Sequence, residues 1–396
     1  LKQNNFTIIY GNNYFCVKQK KDKMNIIVSP SFVLEEKLLK RNLDLIGYVA
    51  HKAEIEIIMA LKAFGMWKIF PLIGKHVNGA SASSLNEAKL IFEEMGVWAH
   101  TYSPAFKTNE FDEILDYSNH IIFNSFNQFH QFKDKVKSRQ KEIGIRINPE
   151  YSPVSTSLYN ACTPGSRFGV SVDQFPEQLP VEIDGFHFHA LCESDSYALA
   201  DVLEVIEEKF GRYFKKIKWL NLGGGHLMTR KDYDIKHLIR TLSDFRKKHQ
   251  IKIILEPGSA FTWQTGFLQS TIIDIVENKN IKTAILDVSF TAHMPDCLEM
   301  PYKPEIRGAK EPNYSLPTYR MGGNSCLSGD FIGDWSFEKE LKIGDTIIFE
   351  DMIHYTMVKT TTFNGVQHPT IGILKENGVF EVFKTFVHED YKNRLS

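Results

Sequence analysis

From Ile57 to Phe267, short runs dense in apolar residues alternate with longer stretches whose apolar positions recur every three or four residues. The runs 57-IIMALKAF-64, 97-VWAHTY-102, 120-HIIFNS-125, 142-EIGIRINP-149, 184-DGFHFHAL-191, 217-IKWLNLGG-224 and 251-IKIILEPG-258 predict strands. The stretches 85-LNEAKLIFEEMG-96, 109-NEFDEILDYS-118, 127-NQFHQFKDKVK-137, 196-SYALADVLEVIEEKFG-211 and 234-DIKHLIRTLSDFRKKH-249 predict amphipathic helices, and 79-GASASS-84 predicts a small-residue turn. Strands separated by such helices imply βα units on a parallel sheet, and about eight units in roughly 230 residues close most economically into a (β/α)8 barrel. Beyond Phe267 the period shortens to that of strands and turns, in 269-QSTIIDIVENK-279, 281-IKTAILDVSF-290, 345-DTIIFEDM-352, 355-YTMVKTTTFNG-365 and 379-VFEVFKTF-386.

The pattern predicts an α/β chain: a barrel followed by a mostly-β domain. Its boundaries fall at 24–267 for the barrel, whose first strand is free to join the β domain, and at 268–396 for the β domain. Residues 1–23 read as an N-terminal extension, because 19-QKKDKM-24 is a polar junction and Met24 can serve as a start.

One residue breaks the apolar pattern of the first barrel strand. Lys62 lies inside 57-IIMALKAF-64, where an ammonium group loses water at a cost of several kcal/mol unless it is paired or gives up its proton. A barrel gives such residues a common address, since its active site forms at the C-terminal ends of the strands. Lys62, Arg146, His187, His189, Gly223, Gly224, Gly225 and Glu256 all fall at or just past such ends. Taken singly, each has an ordinary structural role: an edge lysine, a core histidine, a tight turn. Their convergence on one face is what points to chemistry.

Composition narrows the classes of partner. Forty-seven basic against 48 acidic residues give a net charge of -1, which supplies no broad field for nucleic acid or anionic lipid. Five scattered cysteines without CxxC spacing argue against a disulfide framework and against a zinc site, and fit a reduced, cytoplasmic setting. No apolar run reaches the roughly 20 residues of a membrane span.

A desolvated lysine loses its proton readily and becomes an amine nucleophile for a carbonyl. Glycines in 221-NLGGGH-226 let backbone N–H groups approach a phosphate, and a carboxylate at Glu256 can partner a protonated pyridine nitrogen. Pyridoxal 5′-phosphate carries the aldehyde, the phosphate and the pyridinium together, and is the cofactor these residues predict.

The ordered motifs 60-ALKAF-64, 167-RFGV-170, 186-FHFHALCES-194, 222-LGGGH-226, 255-LEPGSA-260, 323-GNSCLSGDF-331 and 355-YTMVKTTTFNG-365 resemble those of the fold-type III pyridoxal phosphate-dependent decarboxylases. Within that family 80-ASASSLNEA-88, 100-HTYSPAF-106, 189-HALCE-193 and 293-HMPDCLEMPYKPEI-306 look most like the carboxynorspermidine/carboxyspermidine decarboxylases of polyamine biosynthesis. The resemblance runs from Met24 onward. It implies that Lys62 bonds the cofactor and His189 stacks on its ring. It further implies that Gly223 to Gly225 and Tyr355 meet the phosphate and that Glu256 meets the ring nitrogen. Arg146 and Gly258 are expected beside the cofactor. Relatives commonly read EPGR where this chain has 256-EPGS-259, so Ser259 or backbone groups replace an arginine contact.

The resemblance also implies a homodimer in which Cys326 enters from the partner subunit to protonate the carbanion. Asp330 is expected at the substrate. A polyamine needs carboxylates spaced along its groove, and Glu193, Asp296 and Glu299 join Asp330 as candidates. The enzymatic alternative is meso-diaminopimelate decarboxylase, which must hold a second carboxylate with a basic residue, whereas the matching loops here are acidic and carry Leu327 at the variable position. An alternative of another class is a non-catalytic carrier of pyridoxal phosphate on a bare barrel, which would have no use for the β domain. A racemase would place an arginine, not Glu256, at the ring nitrogen.

Overall fold

A computed structural model describes residues 14–17, 25–299, 301–313 and 315–396. Apart from Tyr14–Val17, the extension expected over 1–23 lies outside the described residues. The chain forms two compact units, one of residues 41–261 and one of residues 1–40 together with 262–396.

The first unit is the barrel. Its nine parallel strands follow one hydrogen-bonded order, from Glu56–Ile57 through Lys252–Leu255, Trp219–Asn221, Gly185–His187, Glu142–Arg146, Ser118–Phe123, Ala99–Tyr102 and Ala80–Ala82 to Met59–Ala60. The first and last of these are halves of one extended run broken at Ile58, whose N–H turns to Leu255 while that of Met59 turns to Gly79. The sheet therefore closes on itself with eight staves. Short strands suffice because each is buried on both faces.

Helices Leu85–Met95, Phe111–Tyr117, Phe126–Ser138, Ser196–Phe210 and Ile235–His249 cover the outside, within two residues of the limits the apolar period predicts. Ser84, Ser125, Asp195 and Asp234 cap four of them by accepting backbone N–H bonds. The helix Glu36–Ala53 has no counterpart among the predicted elements, although Leu39, Leu43, Ile46, Val49 and Ala53 are buried at helical spacing. Inside the barrel the Trp219 indole fills space that a Cβ at Gly185 or Gly144 would take, and its N–H donates to Glu142 at 2.6 Å.

Three expectations are corrected. The first strand stops at Ala60, so Lys62 lies in the 3-10 turn Leu61–Ala63 just beyond a strand end rather than within a strand. The small-residue turn at 79–84 contains the strand Ala80–Ala82, because alanines and a serine fit the crowded barrel wall. The segment 355–365 is not a strand: Tyr355 and Asn364 have positive φ, and the chain makes the 3-10 turns Met357–Lys359 and Phe363–Gly365.

The second unit is a mostly-β sheet built on the long strand Gly266–Asn278, which pairs antiparallel with Ser31–Glu35, Ile281–Leu286 and Thr346–Glu350. Thr318–Gly322 and Phe331–Ser336 extend one edge, and Thr370–Leu374 with Phe380–Lys384 the other. The strand Ser31–Glu35 thus belongs to the β unit, although it precedes the barrel in the chain.

Candidate active site

Strand ends at the barrel's C-terminal face bring together most of the predicted cofactor residues. Arg146 and His187 are the last residues of adjacent strands, His189 lies two residues on, and Glu256 directly follows Lys252–Leu255. Lys62 sits in the turn after Met59–Ala60. Water reaches its side chain, yet the wall around it displaces much of the ammonium's hydration. Burial accordingly pushes the Lys62 pKa down, with Glu256 opposing the shift and Arg146 adding to it.

Glu256 is held ionised. Burial alone would raise its pKa, but hydrogen bonding and charge from neighbouring groups, His187 first, bring it below the usual carboxylate value. Asn221 Nδ2 donates to Oε1 at 2.6 Å, and His187 Nε2 lies 3.6 Å from Oε2. Asn221 ties the same corner together by accepting the Gly223 N–H at 2.9 Å.

Burial likewise depresses the pKa of His189 well below the usual imidazole value. Its Nδ1 accepts the Gly224 N–H at 3.0 Å, so the ring is neutral with its proton on Nε2. Arg146 is packed between the faces of Tyr102 and Phe168, 4.7 and 4.5 Å from their centroids, and reaches the His189 carbonyl at 3.5 Å.

The three glycines are required by close backbone approach. Gly223 and Gly225 have φ of +67° and +90°, and side chains there would collide with the carbonyls of Phe188 and Leu191. A Cβ at Gly224 would stand 2.6 Å from the Glu256 carbonyl. The loop is pressed against the His189 and Glu256 segments by the backbone bonds Glu256 N–H to Gly223 and Ser194 N–H to Gly225. Of the three amides, those of Gly223 and Gly224 have acceptors within the protein. Gly258 is buried and Ser259 opens the short α-helix Ser259–Thr262, while Glu193 is exposed with positive φ.

Sequence reasoning passed over Asn221, Tyr102 and Glu87. Glu87 is half-buried, accepts the Ser83 N–H at 2.6 Å and interacts electrostatically with Lys62. Asn221 stood in the quoted NLGGGH, and Glu87 in the serine-x-x-glutamate spacing of a helix start. Among the described residues no cluster of histidine, cysteine or acidic groups could hold a metal.

Cys326, Asp296, Glu299, Asp330 and Tyr355 lie in the β unit. Asp296 is buried, with Oδ2 accepting from Thr356 at 2.8 Å and Tyr302 at 3.2 Å, while its buried Oδ1 has no partner. Glu299 pairs with Lys359 at the surface. Cys326 is exposed at a loop tip.

The barrel group fits pyridoxal phosphate on observations of its own: a lysine pushed toward its neutral amine, a fixed carboxylate anion, a neutral imidazole, and a glycine loop packed without side chains against the same strand ends. A β sheet joined to such a barrel, with this group at the strand ends, defines a pyridoxal phosphate-dependent enzyme. The profile described as "Pyridoxal-dependent decarboxylase, C-terminal sheet domain" matches residues 47–353, and the chain belongs to that family. It is a carboxy-lyase with pyridoxal 5′-phosphate as its cofactor.

The chain is 51% identical over 374 residues to a carboxyaminopropylagmatine decarboxylase of Synechocystis sp., covering 94% of this chain and 97% of the relative. It is 41% identical over 379 residues to a carboxynorspermidine/carboxyspermidine decarboxylase of Campylobacter jejuni, covering 93% and 98%. The crystal structure of carboxynorspermidine decarboxylase from Campylobacter jejuni, complexed with norspermidine, superposes with a TM-score of 0.87 at 40% identity over 92% of this chain and 99% of that one. Among the described residues no helix is long and apolar enough to cross a membrane.

Proposed function

We propose that the chain decarboxylates a carboxylated polyamine, carboxynorspermidine or carboxyspermidine, in polyamine biosynthesis. The observation that carries this reading is near-full-length identity to enzymes so named, 41% in the Campylobacter relative. Diaminopimelate decarboxylases are more distant, at 23% identity for the enzyme of Thermoplasma acidophilum and 18% for that of Helicobacter pylori.

The cofactor, when bound, withdraws the electron pair that the departing CO2 leaves behind. The chain's residues serve that withdrawal. Lys62 supplies the amine that holds the aldehyde. Glu256, kept anionic by His187 and Asn221, holds a proton on the ring nitrogen, and His189 supports the ring face. Arg146 brings positive charge to the same mouth. Gly225, Gly258, Ser259 and Tyr355 are assigned to the phosphate, since the Gly223 and Gly224 amides already have partners. Cys326 gives its Sγ proton to the carbon that lost CO2, and solvent restores it.

Asp296 is the best-supported substrate carboxylate, because Thr356 and Tyr302 fix one oxygen and leave the other for a cationic nitrogen. Glu193 is exposed and available, whereas Glu299 must first leave Lys359. The 51% identical relative favours a second reading in which the substrate is carboxyaminopropylagmatine. A guanidinium end prefers a two-oxygen acceptor, and the single free Oδ1 of Asp296 matches one N–H donor better.

The protein is proposed to act as a cytoplasmic homodimer. Leu327, Phe331, Val358 and Phe363 are exposed apolar side chains of the β unit from the segments that carry Cys326 and Asn364, as expected of a face that a second copy covers. The test is CO2 release from carboxynorspermidine, carboxyspermidine, carboxyaminopropylagmatine and meso-diaminopimelate. Turnover of the first pair is expected. Preference for the agmatine conjugate transfers the assignment to the second reading, and turnover of diaminopimelate alone overturns both. Mixing Lys62→Ala with Cys326→Ala protein should restore up to about a quarter of wild-type activity if each site draws on both copies of a two-fold dimer. No restoration removes the shared site.

A further inference from the structure

The loop that carries Cys326 is folded around Asp330, a side chain expected at the substrate. Asp330 is 5% exposed, and both of its carboxylate oxygens are engaged: Oδ1 accepts the Thr291 N–H at 3.0 Å and Oδ2 the Ser325 N–H at 3.1 Å. Its backbone closes the same loop, the carbonyl accepting from Gly323 at 2.7 Å and the N–H donating to Leu327 at 3.0 Å. Gly323 has no room for a side chain because a Cβ would overlap the Asp330 carboxylate. A buried carboxylate with two backbone donors is expensive to strip, so Asp330 is poorly suited to exchange those partners for an ammonium group.

The tip of the loop is held from a second direction. Cys326 N–H donates to Asn364 Oδ1 at 2.8 Å, and Asn364 takes the left-handed conformation, φ +55° and ψ +7°, that asparagine tolerates better than most residues. Cys326, Leu327, Ser328 and Gly329 are otherwise exposed. Without these two acceptors the turn would keep only its own short-range bonds and that of Asn324 N–H to the Val288 carbonyl, and a proton donor misplaced by about 1 Å can lose a hundredfold in rate.

We propose that Asp330 and Asn364 are positioning residues for Cys326: Asp330 folds the 323–330 loop around its carboxylate, and Asn364 pins the backbone N–H of the cysteine itself. This rests on the reading of Cys326 as the proton donor, and it replaces the substrate role expected of Asp330.

The test compares Asn364→Ala, Asp330→Asn and Cys326→Ala with the double variants Asn364→Ala/Cys326→Ala and Asp330→Asn/Cys326→Ala in the cofactor-loaded enzyme. The readouts are kcat, KM and the stereochemistry of deuterium placed at the reacting carbon when turnover runs in D2O. Wild type is expected to give one configuration. Asn364→Ala and Asp330→Asn should each lower kcat about ten- to a hundredfold, leave KM within about twofold, and yield mixed deuterium placement. In the Cys326→Ala background they should cost nothing further, since a positioning residue has nothing left to position.

Equal losses with and without Cys326 overturn the proposal, as does a raised KM for Asp330→Asn with kcat and stereochemistry intact, which would return Asp330 to the substrate. Full activity and unchanged stereochemistry in Cys326→Ala would remove the proton-donor reading itself, an outcome distinct from additive losses. Should Asp330→Asn fail to fold, Asn364→Ala alone decides the point.

Discussion

At Lys62 the decisive quantity is one proton. An amine that stayed fully protonated could not bond an aldehyde, and burial in the turn after Met59–Ala60 lowers the Lys62 pKa, against the pull of Glu256. Lys62→Arg keeps a cation of similar length but one that does not deprotonate. We expect it to lose both the long-wavelength absorbance of bound cofactor and activity, as Lys62→Ala should; either variant with an unchanged spectrum would refute the role. Asn221→Ala removes a charge-assisted hydrogen bond from Glu256 worth about 1.5–3 kcal/mol. The expected result is a ten- to hundredfold loss in kcat, by the same magnitudes, with far-UV circular dichroism unchanged. The lysine, the glycines and the glutamate were legible because their residue types are improbable where they stand. Asn221 and Glu87 were not, because an asparagine or a glutamate near a helix start has many ordinary uses.

At the scale of elements, the glycine loop and the helix starts carry the site. Gly225→Ala forces a side chain into a left-handed conformation and against the Leu191 carbonyl. Displacing that segment should shift Cys192 and His189 together and weaken cofactor binding by at least tenfold, which a fluorescence titration of the apoprotein with pyridoxal phosphate would measure. The helix Leu85–Met95 begins at Ser84, whose hydroxyl accepts from Glu87 N–H at 3.2 Å. Ser84→Ala should cost about 1 kcal/mol of stability, read in urea unfolding, with a smaller effect on turnover than any change at Glu256. The five helices from Leu85–Met95 to Ile235–His249 were predicted within two residues because each has a full apolar face of its own. Strand limits were read too long: the barrel needs only the three to six residues that pair, and the polar residues beyond them form the rim.

For the whole molecule, acid is the expected weakness. Burial drives the His226 pKa down to about 4 from 6.5, so between those values the unfolded chain binds a proton that the folded ring refuses. Stability is then full above pH 6.5 and falls toward pH 4 by up to about 1.4 kcal/mol per pH unit for this group. Glu142, brought down to about 2 chiefly by its hydrogen bond with His120, contributes stability present above about 4.5 and lost as pH falls through 2. Both act in the same direction. Tm should fall from pH 7 to pH 4, and His226→Asn should flatten the upper part of that decline; a Tm independent of pH across the window would contradict it.

Local pattern along the chain is enough for the alternation that becomes a barrel, for the β texture beyond it, and for the lysine, glycine and glutamate types from which the cofactor is inferred. These are local or periodic properties that a chain carries without being folded. The remainder depends on contacts that exist only once the chain is folded. Folding put Ser31–Glu35 into the far sheet by pairing it with Gly266–Asn278, and it joined Asn221 to Glu256 across neighbouring strands. It also turned Asp330 inward onto the backbone N–H groups of Ser325, in its own loop, and of Thr291, outside it. A carboxylate's role depends on whether a backbone donor or a substrate reaches it first, and that is a matter of distance in space, which sequence spacing does not record.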